Sequence, residues 1–328
     1  MTDLKKIGLS ALAGSLVAFS ANAGELTVSG GAKLSYTADT GNEDVQDDGN
    51  RFGMQQLITF SGSGELDNGA TVSLYHGMTS TGTKSSSSIT YDMGDMGSIT
   101  YQDTSGDLGL GKIDDVMPTA EEEVWNGVDT EASSNEAPVG RVDAGITGFN
   151  YNVSYDMATI NVGYSPKTGS AGNDDGANSG TGANASTTSV AVQLSPMDGL
   201  NVYAGMGDKG GATSSDEQEM DTMAVTYAYG PATVGYQVSN IDKSAANSDL
   251  ETTAYSIAVA VNENFSVSYG ESETELEGST TDQELSGYSV GYSMGGISIK
   301  AHSNEGTNIA NQTANESKHT EISVSFAF

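Results

Sequence analysis

The sequence predicts an all-β protein, a sixteen-stranded antiparallel β-barrel that crosses a membrane. Three observations support this prediction: large apolar residues alternate with small polar ones, the alternating segments number sixteen, and their connections alternate in length. Successive side chains of a strand point to opposite faces of a sheet. Each segment therefore has one apolar face and one face of small polar residues.

The alternation is easiest to read in the middle of the chain. FNYNVSYD places Phe149, Tyr151, Val153 and Tyr155 on one face, and asparagine, serine and aspartate on the other. The same reading of the whole chain predicts strands at 25–37, 51–65, 70–79, 87–93, 96–104, 147–156, 158–166, 187–195, 199–207, 220–229, 232–241, 251–261, 265–273, 285–294, 297–304 and 318–328.

The connections fall into two classes that alternate along the chain. Short turns rich in Gly, Asn, Asp and Pro are expected at 66–69, 94–95, 157–158, 196–198, 230–231, 262–264 and 295–296. Long polar loops are expected at 38–50, 80–86, 105–146, 167–186, 208–219, 242–250, 274–284 and 305–317. This alternation predicts one domain, an up-and-down sheet with the short turns on one rim and the long loops on the other.

Residues 1–23 predict a cleaved secretory signal. Lys5 and Lys6 precede an apolar run of about 13 residues, shorter than the roughly 20 of a membrane-spanning helix, and Ala21-Asn22-Ala23 offers a cleavage site. The barrel domain is then expected to span 24–328. The chain has no cysteine, so disulfides and thiolate chemistry are excluded.

The charge balance restricts the partners. The formal net charge is −32, and nucleic-acid binding needs basic patches. We therefore expect no nucleic-acid partner. An excess of carboxylates attracts cations, although solubility in salty surroundings also accounts for acidic loops.

A soluble β-sandwich also alternates, so the composition of each face decides between the two folds. Of the 15 tyrosines, all but Tyr75 and Tyr203 share the apolar parity. A dry core would need a partner for every hydroxyl, whereas tyrosine belts are typical where lipid meets water. The polar face is Gly, Ser, Thr, Ala, Asn and Gln, which can line a water-filled lumen. Closure also removes the sheet edges that lipid cannot satisfy.

The sequence resembles the general porins of Gram-negative outer membranes, most of all the alphaproteobacterial branch. The resemblance rests on the exported start, the sixteen alternating segments, the oversized loop after strand five, and the ending IxVxFxF. That ending comprises Ile322, Val324, Phe326 and Phe328, and it looks like the signal read by the outer-membrane assembly machinery.

The resemblance implies a homotrimer in the outer membrane, in contact with its lipid and lipopolysaccharide. It also implies that the long loop after strand five, 105–146, folds into the lumen and narrows it. Small hydrophilic solutes and ions would then diffuse through a water-filled channel.

The long loop is rich in carboxylates, which would meet a permeating ion at the constriction if the loop folds inward. Acidic rings in a pore select cations. The alternative is a solvated acidic loop outside the barrel. The candidate constriction residues are Asp107, Asp114, Asp115, Glu121, Glu122 and Glu123.

Basic residues of the barrel wall face the acidic loop in the resembled family. Lys33, Arg51 and Lys300 have polar parity and are the candidates here. The alternative for Lys33 and Arg51 is pairing with loop acids near the outer rim. All but two of the 12 lysines and arginines follow residue 23, which is too few for a dense basic cluster. Trp125 is expected to pack the loop against the wall.

Several local motifs carry no predicted chemistry. GDLGLGKI resembles a phosphate-binding loop, but Ile113 replaces the magnesium-binding hydroxyl and no helix follows. His76, His302 and His319 lack ligand spacing. The acidic clusters at 42–50 and 172–178 could bind calcium, with a solvated charge run as the alternative. No cofactor is otherwise expected.

The sequence thus predicts a passive, cation-preferring diffusion channel without enzymatic activity. A solute-specific channel of the same architecture is the first alternative, although only Tyr75 and Tyr203 are expected to face inward as stacking groups. A non-conducting surface or adhesin barrel is the second. A barrel-embedded hydrolase would need a nucleophile and a base at the wall, and the sequence shows no such set.

Overall fold

The computed structural model describes residues 26–41, 50–103, 107–128, 147–166, 186–211 and 217–327. Sixteen strands form one closed antiparallel barrel, in which each strand pairs with its sequence neighbours and the first pairs with the last. The predicted fold class is therefore confirmed. The strands are β1 Thr27–Gly41, β2 Phe52–Glu65, β3 Thr71–Thr79, β4 Lys84–Asp92, β5 Ser98–Asp103, β6 Thr147–Tyr155, β7 Ala158–Ser165, β8 Thr187–Met197, β9 Leu200–Lys209, β10 Gln218–Tyr229, β11 Ala232–Lys243, β12 Leu250–Asn262, β13 Phe265–Leu276, β14 Gln283–Met294, β15 Ile297–Thr307 and β16 Glu316–Ala327.

The two faces of the barrel are inverted relative to a soluble protein. On β10, the polar Thr222 and Thr226 are buried, whereas Met223 and Val225 between them are exposed. The same pattern recurs around the barrel, where apolar side chains point outward and serine, threonine, asparagine and glutamine point inward. Such a surface suits hydrocarbon outside and water inside, and closure pairs the backbone of every strand.

The long-loop ends of several strands reach further than the sequence suggested. β4 begins at Lys84 rather than at 87, so the loop expected at 80–86 is reduced to a turn at 80–83. The Thr79 amide donates to the Thr83 carbonyl across that turn at 3.0 Å. The serine run 85–88 has no apolar member before Ile89, so the alternation that marks a strand is absent there. The same loss of contrast hid the ends of β13 and β15.

The short turns lie where they were expected. Gly230 and Gly295 have φ of 59° and 63°, a left-handed conformation that glycine adopts without steric cost. Helical structure among the described residues is limited to three short 3₁₀ segments. None of the described helices is long and apolar enough to cross a membrane.

Candidate functional site

After β5 the chain turns into the barrel. Residues 107–128, which we call the inner loop, contact the inner wall from β6 round to β16. The inward fold that the resemblance implied is therefore present. Because the inner loop covers this arc, the inner faces of β1 to β5 lie opposite it across the lumen.

The start of the inner loop is attached by its backbone. The Gly109 amide donates to Asn150 Oδ1 at 2.8 Å, and the Leu110 amide donates to Ser189 Oγ at 3.1 Å. Gly163 on β7 permits this approach, since a Cβ there would lie 2.7 Å from the Gly109 nitrogen. Polar side chains of the wall thus satisfy loop amides that no strand pairs.

The middle of the inner loop is held by one amide side chain. Gln237 on β11 donates from Nε2 to the Asp114 carbonyl at 2.7 Å, and its Oε1 accepts from the Val116 amide at 3.2 Å. The loop side chains beside this contact fill the space against the wall. Their buried apolar cluster comprises Leu110, Ile113, Ala191, Met220 and Ile241.

The next part of the inner loop binds serine hydroxyls of the wall. The Ala120 amide donates to Ser268 Oγ at 2.9 Å, and the Glu121 amide donates to Ser289 Oγ at 3.1 Å. These serines occupy inward positions that the sequence predicted to be polar. Small hydroxyl side chains let the loop backbone approach the sheet closely.

The far end of the inner loop is both hydrogen bonded and packed. Asn304 Nδ2 on β15 donates to the carbonyls of Glu123 and Asn126, at 2.8 and 3.0 Å. Trp125 is 8% exposed and packs the loop against the wall, as the sequence suggested. Its buried cluster comprises Met117, Val124, Val128, Ala254, Leu285 and Ile309.

The six candidate carboxylates all lie on the inner loop, but their surroundings differ. Asp107 is exposed, and Asp114 and Asp115 are half-buried. Glu122 Oε2 accepts a hydrogen bond from Asn126 Nδ2 at 3.2 Å. The Glu121 side chain is only 3% exposed, because its Oε2 lies 2.6 Å from Nδ1 of His302 on β15. Glu121 therefore faces the wall, while Asp107 remains in contact with solvent.

The three candidate basic residues are not grouped. Lys33 lies on β1, at the edge of the opposite wall next to β16, and its Nζ is 2.5 Å from Oε1 of Glu321, the cross-strand neighbour of His302. An Arg51 guanidinium nitrogen donates to the hydroxyl of Tyr36 at 3.3 Å. Lys300 pairs across the sheet with Gly291. Gly291 lies against the inner loop, because a Cβ at position 291 would come 2.7 Å from the Ala120 carbonyl oxygen. Lys300 therefore belongs to the loop side of the lumen.

The wall opposite the inner loop is lined mainly by hydroxyl and amide groups. Thr90 and Thr100 share a hydrogen bond of 2.9 Å on this face. Lys33 contributes positive charge there, but it is neutralised by Glu321. The inward polar residues of this wall include Ser35, Gln55, Ser61, Ser63, Ser73, Tyr75, Ser86, Ser88 and Gln102.

Sequence reasoning missed the part that His302 and His319 play at the loop. Their rings stack with centroids 5.1 Å apart, and each ring contacts a carboxylate, His302 that of Glu121 and His319 that of Asp39. Both histidines occupy inward positions on consecutive strands. That shared parity was readable in the sequence, although the loop carboxylate that meets His302 was not.

Other sequence predictions lie outside the described residues. They concern the signal at 1–23, the loop from 129 onwards, the acidic clusters except Asn50, and Phe328. Phe326 is described and faces outward from β16. Among the described residues, no group of three or more His, Asp or Glu side chains could hold a metal ion.

The fold and its interior define a class of protein. A closed sixteen-stranded barrel with an apolar exterior, a polar lumen and a loop attached inside is a channel of the outer membrane. The family model for Gram-negative porins matches residues 8–296, so the chain belongs to the Gram-negative porin family. A comparison with curated protein sequences gives no match.

Solved structures share the architecture at low sequence identity. A porin refined at 1.8 Å is 16% identical with a TM-score of 0.63, and covers 93% of this chain and 100% of its own. The outer-membrane protein OmpT of Vibrio cholerae is 13% identical with a TM-score of 0.63, covering 93% and 98%. An anion-selective porin from Comamonas acidovorans is 12% identical with a TM-score of 0.64, covering 93% and 99%. Because that protein prefers anions, the shared fold does not by itself fix the preferred ion. The alphaproteobacterial branch stays a prediction.

Proposed function

We propose that this porin is a passive diffusion channel that prefers cations and admits small hydrophilic solutes. Transport requires only sieving by the inner loop and electrostatic partitioning, so no catalytic residue or cofactor is invoked. The proposal is supported chiefly by the charge of the inner loop, where five carboxylates besides the wall-facing Glu121 stand against Lys112 alone.

The arrangement of charge favours cations for a physical reason. Low-dielectric walls focus the field of the loop carboxylates into the lumen. The facing wall offers hydroxyls and a lysine already paired with Glu321, so it supplies little opposing positive charge. The negative electrostatic potential that results lowers the free energy of a cation in the narrow part of the pore and raises that of an anion.

A solute-specific channel is less well supported. Stacking of sugar-like solutes needs aromatic faces along the lumen, and the sequence offered Tyr75 and Tyr203. Tyr203 packs against the apolar cluster beneath the inner loop, which leaves its ring less available to a solute. A non-conducting adhesin barrel would not need a loop attached inside the lumen.

We further propose the partners that the family resemblance implies. These are two further copies of the chain in a homotrimer, the outer-membrane lipid with its lipopolysaccharide, and the assembly machinery. The exposed apolar side chains that surround the barrel support the lipid contact. Calcium binding at 42–50 or 172–178 is kept as a secondary proposal from the sequence.

Ion selectivity tests the proposal directly. The purified protein in planar bilayers under a potassium chloride gradient should give a reversal potential of the cation-selective sign. Replacing Glu122 and Glu123 by glutamine should lower the cation-to-anion permeability ratio on the order of twofold, because charges in a wet pore are partly screened.

The matched control removes the same charge from the outside of the barrel. Glu251 and Glu275 pair on the outward face of β12 and β13, and their glutamine variants should leave the ratio unchanged. A reversal potential of the anion-selective sign in the wild type would contradict the proposal. Equal effects of the two double variants would assign the selectivity to the general acidity of the protein.

A further inference from the structure

Four titratable groups form a row between the inner loop and β1. Glu121 of the loop contacts His302 on β15 through Nδ1 at 2.6 Å, and His302 stacks on His319 of β16 at 5.1 Å. His319 in turn contacts Asp39 on β1 through its Nδ1. The row therefore connects the loop to two wall strands and to the start of the barrel.

The first pair of this row is almost completely buried. The His302 side chain is 1% exposed and that of Glu121 is 3% exposed. A carboxylate accepts hydrogen bonds only, so in the ionised pair the His302 Nδ1 carries the proton. His302 Nε2 is buried and has no hydrogen-bond partner among the described residues. The ring is thus held chiefly by its contact with the loop.

The surroundings of the histidines carry excess negative charge. Glu121 faces them from the loop, Glu321 and His319 from β16, and Asp39 and Lys33 from β1. Three carboxylates thus stand against one ammonium. A hydrogen bond to an ionised carboxylate is roughly twice as strong as one between neutral groups, so the contact of His302 Nδ1 with Glu121 is a strong attachment of the loop.

The loop beyond Glu121 depends on this contact. Gly127 lies directly against His319, because a Cβ at 127 would come 2.3 Å from that ring. Asn304, two residues beyond His302, holds the carbonyls of Glu123 and Asn126. Displacement of the His302 ring would therefore affect both neighbouring attachments.

We propose that His302 is the positioning residue of the pore: it holds Glu121 against the wall through Nδ1 and thereby fixes residues 119–128. The inference rests on the proposed function, since it concerns the loop that narrows the channel.

Trp125 gives a readout that does not depend on conduction. It is the single tryptophan of the chain and is buried between the loop and the wall. In detergent-solubilised protein, acrylamide quenching of its fluorescence should increase in His302→Ala, because the loop loses its bond through Glu121 and loosens. In bilayers, the frequency of brief conductance changes should rise on the order of fivefold in the same variant.

Three variants separate positioning from general packing. His302→Gln keeps an N–H donor for Glu121, so its quenching and conductance should stay near those of the wild type. Glu121→Ala removes the acceptor from the loop, so it should loosen the loop as much as His302→Ala does, and the double variant should be no looser than either. Ser289→Ala is the matched control: it removes the neutral bond to the Glu121 amide and leaves the His302 contact, so its effect should add to that of His302→Ala.

The outcomes distinguish this inference from the proposed function. Wild-type quenching and conductance in His302→Ala, or equal loosening in His302→Ala and His302→Gln, would overturn the inference while leaving a conducting channel in place. A wild type that does not conduct would overturn the proposed function, and the fluorescence of Trp125 would still decide whether His302 positions the loop. Loosening in His302→Ala and Glu121→Ala that does not add, with wild-type behaviour kept in His302→Gln, supports the proposal.

Discussion

At the scale of single residues, glycine decides how closely the inner loop approaches the wall. Gly109 has φ of 50°, and a Cβ at this position would lie 2.2 Å from Ser189 Oγ. A Cβ at Gly163 would lie 2.7 Å from the Gly109 nitrogen and 2.8 Å from the Leu108 carbonyl carbon. The obstructing atoms at 163 are backbone, so a rotamer change cannot relieve the contact.

Gly163→Ala should therefore displace the start of the inner loop. Overpacking of this kind costs about 1–3 kcal/mol, and the loop shift should also change single-channel conductance. Urea unfolding in detergent measures the first effect and bilayer recording the second. Gly62→Ala is the control, since a Cβ there would meet Leu26 Cδ1 at 3.6 Å and Leu26 Cα at 4.0 Å, both ordinary contacts. Equal stability of the two variants would show that the loop yields without cost.

Residue types alone predicted which side chains face the lumen, but not which of them meet. The high proportion of Asp and Glu in the loop sequence predicted the candidate constriction residues, and all six lie on the inner loop inside the barrel. Sequence treats Glu121 and Glu122 alike, whereas the structure buries Glu121 against His302 and bonds Glu122 to Asn126. That distinction depends on the path of the loop, which no local pattern encodes.

At the scale of strands, the alternation of side chains carries most of the fold. Each strand places apolar residues outward into lipid, and the short turns fix which strands are neighbours. The period of two therefore predicted the strand order, the closed barrel and the direction of both faces. It failed where both faces are polar, as in the serine run that opens β4, because contrast between the faces is the whole signal.

The outward face can be tested with one charge. Val290 lies in the middle of β14, faces outward and is 37% exposed. Val290→Lys should destabilise the folded protein in lipid vesicles by about 2–4 kcal/mol, the range for a cation near the bilayer midplane. Thr307→Lys, on the same face at the loop end of β15, should cost about 0–1 kcal/mol. Urea titration in vesicles measures the free energy of unfolding of both variants. Similar destabilisation at the two sites would contradict the assignment of Val290 to the lipid interior and of Thr307 to the rim.

At the scale of the whole molecule, charge is distributed by environment. The lipid-facing surface between the rims is apolar, and the lumen carries the loop carboxylates. Further glutamates lie at the long-loop rim of the outer face. Glu251 pairs with Glu275, and Glu273 pairs with Glu284. Like charges opposite one another destabilise a sheet, so these pairs belong where water and counterions reach them. Among the described residues, these glutamates and the loop carboxylates thus place acidic charge at the long-loop rim and in the lumen.

Closure of the barrel suggests a final test, of assembly rather than transport. Phe326 pairs with Ala32 on β1 and Ile297 on β15, and it is 45% exposed on the outer face. An aromatic there is positioned for the interfacial belt and is accessible to an assembly factor. Phe326→Ala should therefore lower the amount of folded protein in the outer membrane severalfold. Once refolded in detergent, the same variant should conduct like the wild type, because its side chain points away from the lumen.

Val324→Ala is the comparison for this variant, since Val324 is the preceding outward position of β16 and also pairs with β1 and β15. Heat-modifiable electrophoresis of outer-membrane fractions reports the folded fraction of each. If recognition depends on the aromatic ring, only Phe326→Ala should reduce assembly strongly. If the loss comes from weaker closure of the sheet, both variants should assemble poorly and both should unfold at lower urea. Normal membrane levels of Phe326→Ala would show that assembly does not depend on this residue, and the terminal motif would then be a structural part of the lipid-facing surface alone.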